Sequence, residues 1–321
     1  MGWPWAIGRR AFFALDPERS HEVALALLGR PLPWRAIGGA ERFAGAGISV
    51  AGIHLDNRVG LAAGFDKTCA RLGPLGRLGF GYVVGGTVTL RPRAGNARPR
   101  IARDQARRAL VNAMGLPNPG AHAAAETLAR AARTTSRWVS LADEDLHDAV
   151  AALRLVAPYA DAIELNASSP NAGWTHKAEH VARLTESFVA ATDRPIFVKL
   201  PPLFDEETRD GVIAMAQAAQ AAGARGLTCG NTIPVRDERM PTGRGGLSGA
   251  PLTAGTPLIV AVVREATGGL LPIHACGGIF TVAEAVACLV AGASTVQVYT
   301  GLIYEGPRVV RALTRGLASS D

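Results

Sequence analysis

Cysteine is scarce in this chain: four residues, at 69, 229, 276 and 288, with no C-x-x-C pair among them. That spacing argues against a zinc ribbon, an iron–sulfur motif and a disulfide scaffold, and it suits a reducing cytoplasm. No apolar run approaches the ~18 residues of a membrane span. The opening MGWPWAIGRRAFFALDPE lacks a basic leader followed by an unbroken apolar stretch, so no signal peptide is expected. Ala6 stands where a myristoylation signal needs Ser or Thr. Aromatics make up only 6% and the arginines are scattered, so the basic–aromatic interleaving of a nucleic-acid binder is missing. No G-x-G-x-x-G opens a βαβ unit, and a nicotinamide dinucleotide fold has no support. The expectation is a soluble or membrane-peripheral protein without metal.

What is present is a long, apolar chain. Its 321 residues are 48% apolar and 19% charged, enough for a large core and too apolar for disorder. An α/β barrel, commonly about 250 residues, would leave about 70 over. The 37 glycines and 20 prolines imply many tight turns. A net charge of +7, from 34 basic and 27 acidic residues, suits anionic partners such as phosphate ligands or a lipid surface.

Residues 1–42 read as short helices. Trp3, Trp5, Phe12, Phe13 and Leu15 precede Asp16-Pro17-Glu18, a helix start with proline in the first turn. Val23, Leu25, Leu27 and Leu28 follow, and Gly29 and Pro31 end the run. Two readings fit so much apolar surface on short helices: packing onto the main domain, or a patch dipping into a bilayer with Trp and Arg at its rim.

From about residue 58 short apolar runs alternate with Ala-rich helical stretches. The runs at 59–63, 82–88, 137–142, 162–167, 195–200, 226–230, 272–276 and 295–299 predict strands. Helices are expected at about 68–78, 120–133, 143–158, 178–192, 206–222, 256–268, 281–290 and 306–318. Eight such units in one unbroken series predict a closed (β/α)8 barrel of the α/β class, with residues 1–42 as a small helical extension and 43–321 as the barrel. A doubly wound sheet is the alternative.

Chemistry in a barrel sits at the carboxyl ends of its strands. Those positions here carry Lys67, Thr87, Ser140, Asn166, Lys199, Asn231, Gly278 and Thr300. Two lysines and two asparagines converging on one mouth suit a planar, anionic, amide-rich ligand. The last two strands end in Cys276-Gly277-Gly278-Ile279 and Tyr299-Thr300-Gly301, where backbone amides could cradle a phosphate, with the loop Gly245-Gly246-Leu247-Ser248-Gly249 adding another. Glycines placed only for tight turns would look the same. If the cradle is real, a mononucleotide with one phosphate fits it.

The ordered motifs GLAAGFDK (60–67), GGTVTLRPRAGNARPR (85–100), VNAMGLPNPG (111–120), ELNASSPN (164–171), FVKLPP (197–202), GNTIPV (230–235), GGLSGAPL (245–252), GGIFTVAEA (277–285) and AGASTVQVYTGLIYEGP (291–307) cover nearly the whole chain. In them it resembles the dihydroorotate dehydrogenases. The resemblance implies an FMN-binding barrel that oxidises dihydroorotate to orotate in pyrimidine synthesis. A proton leaves C5 and a hydride leaves C6 for the flavin.

The roles it implies fall on particular residues. Ser169 takes the place of the catalytic base, and a Ser hydroxyl in that role needs a hydrogen-bonded relay or a loop that excludes water. Asn112, Asn166, Asn171, Asn231 and Thr232 match positions that hydrogen-bond the substrate, as does the run Ala113, Met114, Gly115 and Leu116. Lys67 matches a lysine shared by substrate and flavin. Lys199 matches the lysine at the flavin N1–O2 edge, where positive charge favours the reduced anion. Flavin and phosphate contacts are implied at Ala63, Gly64, Thr87, Ser140, Gly230, Gly249, Gly278, Tyr299 and Thr300.

Ser169, the GGLSG-x-PL run and LDPERSHE (15–22) resemble the membrane-associated class that reduces a quinone. That class implies a quinone entrance in residues 1–42, with His21 and Arg103 as polar groups beside it. It also implies a peripheral place at the cytoplasmic face of an anionic membrane, and a monomer is slightly favoured. Three positions depart from the pattern. Ser140 replaces an Asn at the flavin, Leu116-Pro117 resembles the soluble fumarate-linked class, and Ala172 replaces a Thr. A fumarate-linked enzyme, a flavin-binding paralogue without turnover and a non-redox barrel for a sugar phosphate are the alternatives.

Overall fold

The structure, a computed structural model, describes residues 3–143, 145–168, 177–203 and 205–319. Two helices open the chain, α1 (Trp3–Ala14) and α2 (Pro17–Leu28). The Asp16 side chain caps α2 by accepting from the Glu18 and Arg19 amides at 2.9 and 3.1 Å, and Pro17 occupies the first turn. A short α3 (Trp34–Gly38) and an antiparallel hairpin of β1 (Ile48–Val50) and β2 (Ile53–Leu55) lead to the barrel.

In chain order there follow β3 (Val59–Leu61), α4 (Leu72–Gly76), β4 (Tyr82–Val88), β5 (Ile101–Asp104), β6 (Ala109–Asn112), α5 (Ala121–Arg130), β7 (Ser136–Leu141) and α6 (Leu146–Val156). Then come β8 (Ala162–Asn166), α7 (Ala178–Ala191), β9 (Ile196–Lys199), α8 (Glu206–Ala221), β10 (Gly226–Cys229), β11 (Ile233–Arg236), β12 (Arg244–Gly249) and α9 (Gly255–Ala266). The chain ends with β13 (Ile273–Cys276), α10 (Val282–Val290), β14 (Thr295–Val298), α11 (Thr300–Glu305) and α12 (Val309–Ala318).

The strands β3, β4, β7, β8, β9, β10, β13 and β14 pair in parallel and close a barrel, β14 returning to β3. Each lies within one residue of an apolar run read from the sequence. Those runs are near-continuously apolar because both faces are buried, one against helices and one inside the barrel.

The amino end of the barrel is sealed by aromatic rings. Trp138 stacks between Tyr82 and Phe197 with centroids 4.4 Å away on each side, and the His274 ring meets it edge-on at 5.0 Å. Val50 and Leu55 of the hairpin pack beneath. Gly60 and Gly226 make room for the rings: a Cβ at either would lie 2.2 Å from Tyr82 or 2.4 Å from Phe197. Ligand access is therefore confined to the carboxyl end.

Two differences from the sequence expectation bear on the site. A helix was expected from about residue 68, but α4 begins at Leu72. Residues 66–71 instead form a turn around buried Asp66, whose carboxylate accepts from the Thr68 and Arg71 amides. The second is an antiparallel sheet, β11-β12-β6-β5, with a small core of Ala102, Ala109, Val111, Met240 and Leu247. Its strands come from the β4–α5 and β10–α9 connections, so it belongs to the carboxyl end of the barrel.

The helices α1 and α2 pack onto that same end. Arg103 of β5 donates to the Phe12, Phe13 and Leu15 carbonyls at 3.2, 3.0 and 2.8 Å, and Arg71 Nε to Leu25 O at 2.9 Å. Buried Glu18 of α2 pairs with buried Arg100 (Nε–Oε1 3.0 Å). On the outer side Leu15, Val23 and Leu27 remain 36–41% exposed. Among the described residues no helix is long and apolar enough to cross a membrane.

Candidate active site

Polar side chains from neighbouring strands meet at the mouth in one connected ring. Ser140 Oγ at the end of β7 lies 3.1 Å from Thr87 Oγ1 of β4. Asn166 at the end of β8 donates from Nδ2 to Thr87 Oγ1 at 3.0 Å. Its Oδ1 accepts from Ser168 Oγ at 2.7 Å, and Ser168 Oγ in turn accepts from Asn231 Nδ2 at 2.6 Å. Asn231 Oδ1 accepts the Thr232 amide at 2.7 Å. The sequence indicated every member except Ser168, which is 3% exposed and links the strand β8 amide to the one after β10.

The second sheet brings the remaining substrate positions over this ring. Asn112, the last residue of β6, donates to Gly246 O of β12 at 3.3 Å. Gly246 has no room for a side chain, because a Cβ there would lie 2.0 Å from Thr232 Oγ1. Asn112, Gly246 and Thr232 are thus packed together. The run after Asn112 is held by Asn96, which donates from Nδ2 to Ala113 O at 3.0 Å and from its amide to Met114 O at 3.0 Å. Gly115 and Leu116 both have positive φ (71° and 54°), and the Leu116 carbonyl accepts from Asn118 Nδ2 at 2.8 Å.

A second group gathers around the loop after β3. Lys67 Nζ donates to Gly64 O at 2.6 Å, and Tyr299 OH donates to the same carbonyl at 3.3 Å. The Gly64 amide donates to Gly86 O at 2.7 Å, beside Thr87, and Ala63 precedes it half-buried. At the ends of β12 and β14, Ser248 Oγ and Thr300 Oγ1 are 2.9 Å apart, and a Cβ on Gly249 would lie 3.1 Å from Thr300 Cγ2. Gly278 meets the Thr253 backbone, where an added Cβ would be 2.3 Å from the amide nitrogen, and Gly230 meets Cys276 O in the same way. Close approach of one loop to another therefore already requires these two glycines. Ser169, Asn171 and Ala172 lie outside the described residues.

The chain contains only three lysines among its 34 basic residues, and two of them, Lys67 and Lys199, are at this mouth. A compact ammonium at both points contrasts with the arginine used elsewhere. Burial, together with the nearby Arg100 guanidinium, lowers the Lys67 pKa to about 8 against the opposing pull of Glu18 and Asp66. Lys199 is 5% exposed, and its hydrogen-bond partner among the described residues is the Cys276 thiol at 3.9 Å. Burial opposes its charge, but the Cys276 sulfur and, after it, the Glu164 carboxylate outweigh that and hold its pKa above the usual lysine value.

His21 of α2 reaches the same region. Its ring meets Phe65 edge-on at 4.9 Å, and Phe65 meets Tyr299 at 5.5 Å. Burial first, and the Lys67 charge second, push its pKa down to about 3, so the imidazole is neutral. Arg103 is occupied with the carbonyls that end α1.

The family model described as dihydroorotate dehydrogenase matches residues 46–320. A protein of Verminephrobacter eiseniae named dihydroorotate dehydrogenase (quinone) is 36% identical, over 98% of this chain and 94% of its own. One of Erythrobacter litoralis with the same name is 38% identical, over 97% and 93%. A crystal structure of DHODH from Eimeria tenella in complex with ferulenol superposes with a TM-score of 0.84 at 29% identity, over 94% of this chain and 90% of that one. The chain belongs to the dihydroorotate dehydrogenase family of oxidoreductases.

Proposed function

We propose that this chain oxidises dihydroorotate to orotate in pyrimidine synthesis, with FMN as hydride acceptor and a membrane quinone as final acceptor. The observation that carries the reading is the connected amide–hydroxyl ring closed over by the second sheet and flanked by Lys67 and Lys199. Amide side chains both donate and accept, as the alternating C=O and N–H edges of a pyrimidine and of an isoalloxazine require. The donor set fits the flavin in one further respect. A buried ammonium whose described partner is a thiol 3.9 Å away needs a better acceptor, and the flavin O2 edge is one.

FMN bound there supplies the hydride acceptor. The chain's own residues do the rest. Lys67 neutralises the substrate carboxylate. Asn112, Asn166, Asn171 and Asn231, with Thr232, orient the ring. Ser169 takes the C5 proton. Lys199 and Ser140 hold the flavin, with Tyr299, Thr300, Gly249 and Gly278 about its phosphate. Residues 1–42 serve as the quinone and membrane segment at the cytoplasmic face, supported by the exposed Val23 and Leu27 on a helix whose other side reaches Phe65 and Lys67.

An anaerobic visible spectrum tests the whole reading. The purified protein shows a flavin spectrum that dihydroorotate bleaches and that a quinone, not fumarate, restores. Recovery with fumarate would move the chain to the soluble class that Leu116-Pro117 resembles. A flavin that dihydroorotate leaves oxidised would overturn the substrate.

A further inference from the structure

Two residues before Asn166, the strand β8 turns a carboxylate into the barrel. Glu164 is fully buried, one step below the ring. Its Oε2 accepts from Thr228 Oγ1 of β10 at 2.9 Å, and its Oε1 has no hydrogen-bond partner among the described residues. A buried carboxylate so placed is costly without a compensating cation.

That cation is Lys199. It lies on the intervening strand, in register with Asn166 on one side and Thr228 on the other. The other titratable groups of the barrel interior carry no charge at neutral pH. Burial pushes the Cys276 thiol of β13 and the Tyr82 phenol of β4 up, and holds His274 of β13 down at about 3. Lys67, after β3, faces its own carboxylates, Glu18 and Asp66, with the Arg100 guanidinium opposing them. Glu164 is thus the anionic side chain that faces the Lys199 ammonium, and the two interact electrostatically.

We propose that Glu164, anchored by Thr228, is a positioning residue that keeps Lys199 a charged ammonium at the flavin's pyrimidine edge. The proposal rests on the FMN reading above. Desolvation alone would release the Lys199 proton, and a neutral amine there would withdraw the charge that favours the reduced flavin anion. The carboxylate acts through Lys199 and not on the substrate.

With only three lysines in the chain, a 15N side-chain NMR titration of the full-length protein resolves Lys199, and Lys199→Met assigns it. In the wild type the ammonium persists above the ordinary lysine range. In Glu164→Gln it titrates at least about one pH unit lower, a tenfold loss of proton affinity. Thr228→Val keeps the carboxylate but frees it, and shifts the titration less, in the same direction. It stands in if the Glu164 variant fails to fold. In the flavin-loaded protein, the midpoint potential of Glu164→Gln converges on that of Lys199→Met as pH rises through the variant's lowered Lys199 titration, while the wild type stays apart. An unchanged Lys199 titration in both variants would overturn the proposal. A wild type that holds no flavin would sink the FMN reading instead, and the lysine titration, which needs no flavin, would still decide whether Glu164 holds the charge.

Discussion

At the scale of single residues, the site is governed by how charge is held in a dry mouth. Lys67 is the clearest case. Its pKa of about 8 lies below the ordinary lysine value, so its charge is nearly complete at about pH 7 and is lost as pH rises through 8. Orotate affinity is expected to be flat below about pH 7 and to weaken by up to about tenfold per pH unit above 8, because the anion then meets a neutral amine. Calorimetric titration with orotate checks this, and Lys67→Met should bind weakly at every pH with no slope. An affinity independent of pH between 7 and 9.5 would remove Lys67 from the carboxylate. Ser169 carries a different expectation. Ser169→Ala should lower turnover by about 10²-fold or more and leave the flavin bound, as for loss of a proton acceptor. Near-wild-type rates would assign the proton to another group. These roles were legible only through the motifs. Ser168 and Glu164 stand inside the same ELNASSPN run, yet nothing in their spacing marked them. The signal available was the alternation of β8, which points Glu164 and Asn166 to the same inner face.

At the scale of elements, the barrel strands were legible because burial on both faces leaves long apolar runs. The second sheet was not. Its strand β12 reads RGGLSG, and glycine carries no strand signal, so the sequence shows the run as a loop. The two glycines serve packing: Gly245 admits Val111 and Gly246 admits Thr232. Its other strands are four residues each, too short to show alternation. Without this sheet Asn112 would have no place over the ring. The helix pair α1–α2 was legible as helix, since Asp16 and Pro17 start α2 as expected. Both sides of its apolar surface are used differently, one against Phe65 and Tyr304 and one left open at Val23 and Leu27. If the open side meets lipid, Val23→Glu with Leu27→Glu should abolish turnover of a long-chain quinone held in anionic vesicles. Bleaching of the flavin by dihydroorotate and turnover of a short water-soluble quinone should be kept. Equal loss with both quinones would place the defect inside the protein and not at the membrane.

At the scale of the whole molecule, two neutral histidines tie the two ends of the barrel to pH. His274 lies among the aromatic rings that seal the amino end, its Nδ1 hydrogen-bonded with Thr295 and Tyr82, and His21 docks α2 at the carboxyl end. Burial holds both near pKa 3, far below the unfolded value of about 6.5. Above pH 6.5 neither state binds the proton and stability does not depend on it. As pH falls below 6.5 the unfolded chain takes up protons that the native state refuses, so stability falls. Each histidine adds a slope that approaches about 1.4 kcal/mol per pH unit once the unfolded imidazole is fully protonated. Exposed Asp205 and half-buried Asp237, whose pKa values their hydrogen bonds hold below the usual carboxylate range, lose their contribution only at lower pH, which separates the two windows. Urea unfolding at pH 7, 6 and 5 is therefore expected to show a falling midpoint in the wild type. His274→Gln should be less stable at pH 7 but nearly level across that range. His21→Phe, which keeps the edge contact with Phe65, should be level for the exchange protection of α2 while global unfolding still follows His274. If both variants lose stability between pH 7 and 5 as steeply as the wild type does, the acid sensitivity belongs to other groups, and the barrel ends are not where protons act on this fold.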